Sequence, residues 1–180
     1  MENIKDEPAY SKNVLELLRV ANEYCLFVEK IEHYENRQMI DFMSKLFPLL
    51  YLKGAMLPPV QVDDPSANER YVTLEQYEIV FNSIRKNILG MDDFLYMDYT
   101  PPADSEPVRG SVSEMLTDIY QDLKDFMLLY QQNRRAAKQN AAHECRQLFY
   151  DHWGPRILYV LNAIHPLIIE KEKDNPSYLI

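Results

Sequence analysis

Apolar residues recur at spacings of three and four along most of this chain, and that period restricts it to an assembly of packed helices. Val14, Leu17, Leu18, Ala21, Tyr24, Cys25, Val28 and Ile31 share one helix face, with Ser11 placed to cap its start and His33–Asn36 to break it. Met39, Phe42, Met43, Leu46, Leu49 and Leu50 point inward from a second helix. Pro48 lies within that helix, about 180° from Met39, so a kink is expected on the polar side, where water satisfies the carbonyl it frees. Leu57-Pro58-Pro59 ends the helix, and 61–70 is a polar loop. Thr73 and Gln76 form a capping box that opens a third helix carrying Tyr77, Val80, Phe81, Ile84 and Ile88 and closed by Gly90.

A second box, Ser111 with Glu114, opens the longest helical run, whose inward residues are Met115, Leu116, Ile119, Tyr120, Leu123, Phe126, Met127 and Tyr130. Asn133 marks a bend before a fifth helix through Ala137, Ala141, Cys145, Leu148 and Phe149. Gly154-Pro155 starts a sixth, with Ile157, Val160, Leu161, Ile164 and Ile168 inward and a kink or break at Pro166. The segment 91–109, with Pro101, Pro102 and Pro107, reads as one long irregular loop in which Phe94-Leu95-Tyr96 has extended character but no partner strand. The expected fold is therefore an all-α, single-domain bundle of about six helices. It spans 11–173, between a flexible segment 1–10 and a tail 174–180.

Composition removes several classes of function. The chain has 180 residues with 28 Asp and Glu against 19 Lys and Arg, a net charge of −9, which argues against nucleic acid as the main ligand. Its 4 glycines are scattered, so no phosphate-cradling loop exists. The Met1–Pro8 segment is acidic and polar and does not read as a secretory signal. The apolar stretches fall short of the roughly 20 continuous residues of a membrane span. Two cysteines, Cys25 and Cys145, are too few for a disulfide framework or a thiolate zinc site, and a cytoplasmic protein is expected.

Glu114, Asp118, Asp122 and Asp125 fall at spacings of four, four and three on one helix face, roughly 120° from the apolar centre, which reads as a solvated face. Glu29 and Glu32 on the first helix could meet Asp122 and Asp125 on the fourth, the arrangement by which all-α nucleotide pyrophosphohydrolases hold magnesium. Those enzymes resemble this chain only loosely, because their acidic pairs sit on adjacent helices and Val28 stands where an acidic residue precedes their first pair. A magnesium-dependent phosphohydrolase is thus the alternative function, and magnesium enters only there; otherwise no cofactor and no catalytic residue is indicated. Cys145 and His152 cannot act as nucleophile and base, being about 10 Å apart along a helix axis. Charge is segregated: nine acidic against two basic residues over 92–125, and four basic, Arg134, Arg135, Lys138 and Arg146, against one acidic over 131–146. Leu128 and Leu129 fall outside the apolar sector beside these basic residues, so the six form a candidate partner-binding face. The leading function is a protein-interaction or self-association module.

Four stretches, Val20–Lys30, Pro48–Lys53, Asp118–Phe126 and His152–Arg156, together resemble a family of Bacteroidetes-type bacterial proteins known only as a domain of unknown function. The resemblance covers most of 11–170 and implies a cytoplasmic, all-helical single domain with no established catalytic residues. Within these stretches Trp153 and Gly154-Pro155 fix a sharp helix–helix corner. Arg156 sits in a first helical turn where the dipole disfavours a cation, so an acidic residue of the 118–125 row is its expected partner.

Overall fold

The helix opened by Ser111 becomes the axis around which the others pack. The computed structural model describes residues 7–88, 90–98 and 106–173. Its helices are α1 (Lys12–Glu29), α2 (Asn36–Ala55), α3 (Leu74–Asn87), α4 (Val112–Gln131), α5 (Arg135–Asp151) and α6 (Trp153–Lys173). Short 3-10 turns occupy Pro8–Tyr10, Ile31–His33 and Pro65–Ala67. The all-α expectation holds, with one addition: β1 (Asp93–Tyr96) and β2 (Val108–Ser111) pair antiparallel, so the extended Phe94–Tyr96 does have a partner strand. The segment read as one irregular loop is a hairpin that leads directly into α4; its prolines 101 and 102 lie outside the described residues.

Side-chain capping sets the helix starts as the sequence indicates. Ser11 accepts from the Val14 amide, and Thr73 and Gln76 complete their reciprocal box. At α4 only half of the expected box forms, Ser111 accepting from the Glu114 amide. Asp92 supplies the rest, its carboxylate accepting from the Ser113 amide at 2.7 Å and the Ser113 hydroxyl at 2.6 Å. Asp92 thereby ties the hairpin to the positive end of α4. After α3 the chain turns through Gly90 at φ 88°, a left-handed conformation that L side chains rarely adopt. Pro48 is exposed and α2 runs on through it, as water on that side predicts; α6 likewise continues past the exposed Pro166.

α4 packs against α1, α3, α5, α6 and β2, while α2 lies between α1 and α6. Three phenols fasten this packing: Tyr24 donates to the Leu116 carbonyl at 2.7 Å, Tyr130 to Ala9 at 2.9 Å and Tyr120 to Glu29 at 2.9 Å. Ala9 is fully buried and Glu7 bonds Arg135 and Gln139, so 7–10 is docked into the domain. Residues 1–6 and the tail 174–180 lie outside the described residues.

The α5–α6 corner turns on the single residue His152, and Trp153 behind it is 0% exposed, its indole donating to the Cys145 carbonyl at 3.1 Å. α2 meets this corner at Gly54, where a Cβ would fall inside the rings of Trp153 and Phe149. Gly54→Ala must displace two rings locked in an edge-to-face pair, centroids 5.0 Å apart. The substitution is expected to destabilise by about 1–3 kcal/mol, read as a lower urea midpoint with an unchanged slope.

Candidate functional site

The acidic row of α4 is not a solvated face. Asp122 and Asp125 are each 4% exposed, and Asp118 is largely covered. The angular separation from the apolar face is as expected, but a second layer packs on the polar side and brings its own donors. Asp125 accepts from the amides of Tyr71 and Val72 at 2.7 and 2.8 Å, which holds the segment entering α3. Arg70 reaches Asp125 at 3.3 Å and Asp122 at 3.7 Å and bonds Glu144 of α5. Burial works against the Arg70 charge, yet Glu144, Asp125 and Asp122 together raise its pKa. His152 Nδ1 lies 2.5 Å from Asp122, and Arg156 Nε donates to Asp118 at 2.7 Å, so the expected Arg156 partner is Asp118. Tyr77 donates to the other Asp118 oxygen at 2.7 Å. Burial first, then that carboxylate, pushes the Tyr77 phenol well up. Glu114 alone of the row stays exposed.

The proposed magnesium ligands do not converge. Glu29 takes Tyr120 at 2.9 Å and Lys124 at 2.7 Å, and Glu32 takes Ser83 at 2.7 Å. Tyr120 and Lys124 project roughly 200° and 240° around α4 from Asp118, so Glu29 docks on the helix side away from Asp122 and Asp125. Among the described residues no group of three or more His, Cys, Asp or Glu is placed to hold a metal ion. Both thiols are buried, and burial pushes both up, away from nucleophilic thiolate. His33 Nδ1 and His143 Nδ1 lie 3.2 and 2.9 Å from the Lys30 and Val60 carbonyls, and His165 is exposed. No buried side-chain polar atom among the described residues lacks a partner. Asp118, Asp122 and Asp125 thus act as an internally hydrogen-bonded brace.

Of the six residues expected at a partner face, Leu129 is buried and most of the others are engaged by neighbouring segments. Leu129 joins the core and Leu128 is half-buried, because α5 covers that side of α4. Arg135 pairs with Glu7 at 2.9 Å and Asp63 at 3.4 Å. Lys138 donates to the Tyr130 carbonyl at 2.5 Å and stands 4.6 Å from its ring centroid. Arg146 donates to the Leu57 carbonyl at 3.2 Å and lies 5.1 Å from the Tyr150 ring. Arg134 remains exposed. These cations fasten the N-terminal turn and the 57–64 loop.

Two surface features were not evident from periodicity. A groove of about 620 Å³ runs along α2, floored by Tyr34, Phe42, Leu46 and Leu49 and edged by Arg37, Asp41 and Lys45. Leu49, read as inward, is 40% exposed there. A more polar cleft of about 450 Å³ lies between the hairpin, α4 and the start of α6. Its contributors come from segments distant in sequence, which no local spacing reveals.

The fold and the buried polar layer define a mostly helical single domain with a small hairpin. The chain belongs to the family described as Domain of unknown function (DUF5063), matched over residues 8–170. Its fold is similar to the crystal structure of protein BF1032 from Bacteroides fragilis, with TM-score 0.79 and 30% identity over 89% of this chain and 95% of that one. No curated protein matches. Among the described residues no helix is long and apolar enough to cross a membrane.

Loss of the Asp125 carboxylate leaves the Tyr71 and Val72 amides and Arg70 short of an acceptor. Asp125→Ala is expected to cost about 3–5 kcal/mol, while Glu114→Gln on the same face stays within about 0.5 kcal/mol in denaturant titrations. Phenols give the pH dependence. Tyr24 and Tyr77 have folded pKa values raised above their ordinary 10.0, so their contribution is complete below that pH and is lost as pH rises beyond it. Stability measured from pH 8 to 11 is expected to fall above about pH 10, less steeply in Tyr77→Phe.

Proposed function

We propose that this domain is a protein-interaction module and that the α2 groove receives an amphipathic helix with an acidic flank from another protein. The observation that carries this reading is the concentration of exposed apolar side chains on α1, α2 and the turn between them. Leu15, Leu26, Tyr34, Leu49, Leu52 and Met56 make up six of the thirteen large hydrophobic residues exposed among those described. Phe42, Leu46 and Leu49 follow the i, i+4, i+7 spacing against which the apolar face of a second helix packs.

Charge selects the occupant. Lys45 is neutralised by Asp41 at 2.7 Å, and Arg37 is a groove charge without a hydrogen bond or ion pair among the described residues. An acidic residue beside the apolar stripe of an incoming helix completes it. A second copy of the same face sets a net positive edge against itself, which favours a different protein.

The test compares the tagged wild type with Arg37→Glu/Leu49→Glu, both exposed positions, in recovery of partners from the native cells. A synthetic peptide spanning the acidic amphipathic segment of the recovered protein is then titrated against both. The wild type is expected to bind this peptide roughly tenfold or more tightly than the variant, at unchanged melting temperature. Equal binding by the two overturns the reading. So does a concentration-dependent dimer, seen by light scattering, that the double substitution abolishes.

A further inference from the structure

The α2 groove lies within reach of a segment of the same chain. α6 starts against the end of α2, where Trp153 meets Gly54, and packs on α2, so it runs back toward the α2 start. From Trp153 to Lys173 it rises about 30 Å, against about 26 Å from Gly54 back to Arg37. The last turn of α6 therefore comes level with Arg37, at the groove edge. We propose that the segment 174–180, outside the described residues, occupies the groove until an external partner displaces it. This rests on the groove being a docking surface, as proposed above, and adds how access to it is controlled.

Sequence, charge and reach fit the segment to this site. It consists of Asp174, a polar spacer over 175–177, then Tyr178, Leu179 and Ile180. Asp174 is its one charged side chain and follows α6 directly, level with Arg37, which has no hydrogen bond or ion pair among the described residues. Arg37 stands about 100° around α2 from Gly54, and the floor residues Phe42, Leu46 and Leu49 begin about 120° beyond it. Crossing that arc takes about 12 Å on a helix 10–12 Å in diameter, and an extended chain brings Tyr178 about 17 Å from Lys173. In an extended chain Tyr178 and Ile180 share one side about 7 Å apart, close to the rise of about 6 Å between Phe42 and Leu46. A tether this short supplies a millimolar effective concentration, so modest apolar contacts fill the groove and a partner can still displace them. Occupancy also covers Leu49, which is otherwise 40% exposed.

The probe is a blocked synthetic peptide of residues 172–180, titrated by calorimetry against full-length chains. In the triple variant Tyr178→Ser/Leu179→Ser/Ile180→Ser the groove lacks its own occupant, and saturable binding of the peptide is expected. The wild type is expected to bind the peptide roughly fivefold or more weakly, because its own segment competes. Adding Arg37→Glu/Leu49→Glu to the triple variant is expected to weaken binding roughly tenfold at unchanged melting temperature, both positions being exposed. No saturable binding to the triple variant, equal binding by wild type and triple variant, or binding that the groove substitutions leave unchanged overturns the proposal. So does a wild-type dimer, seen by light scattering, that the triple variant lacks, since the segment then fills the groove of a second copy. A recovered partner can bind the groove where this peptide does not, and the reverse, so the two readings fail separately.

Discussion

The desolvated carboxylates of α4 are the constraint around which this structure is arranged. Moving Asp122 and Asp125 out of water is expensive unless charge and hydrogen bonds answer them, and every element on that side of α4 contributes an answer. The segment before α3 gives two amides and Arg70, α3 gives Tyr77, the α5–α6 corner gives His152, and α6 gives Arg156. Apolar burial alone is non-directional. The row adds direction, because each carboxylate is satisfied only with its own donor in place. A slip of α3 or of the corner by one residue leaves a buried charge unpaired.

The opposite side of α4 is held by a different device. Tyr24 reaches the Leu116 carbonyl and Tyr130 reaches Ala9, each phenol inserting its ring into the core and spending its hydroxyl on a backbone acceptor of another segment. α4 is therefore held through carboxylates where its neighbours are loops and corners rich in donors, and through phenols toward α1 and the N-terminal turn. Both devices work only because α4 is surrounded, which is also why its polar stripe cannot face water.

Periodicity made the helices legible, and the caps at Ser11 and Thr73 fixed two of their starts. It could not show what stands opposite a polar stripe, since the division of one helix into apolar and polar sides is silent about a second layer. Asp122 and Asp125 are misassigned to solvent for that reason, and Leu129 to the surface for a related one, as α5 covers that side of α4. Arg156 was legible because a cation in a first helical turn is locally unfavourable and implies a tertiary partner. Arg70, in a polar loop, carries no such local signature. The hairpin escaped because each strand is four residues long and the partner lies beyond a proline-rich stretch.

A net charge of −9 does not describe the protein surface point by point. Much of the acid concentrated between 92 and 125 is consumed inside the fold: Asp92 on the start of α4, Asp93 on Arg109, and Asp118, Asp122 and Asp125 in the brace. Charges without a side-chain hydrogen bond or ion pair among the described residues include Glu114 and Asp151 at the cleft and Arg37 at the groove. Unpaired charges near the surface act over roughly 8 Å at physiological salt, less than the width of a helix with its side chains. Each therefore sets the potential of its own depression, opposite in sign at the two, whatever the charge of the whole chain.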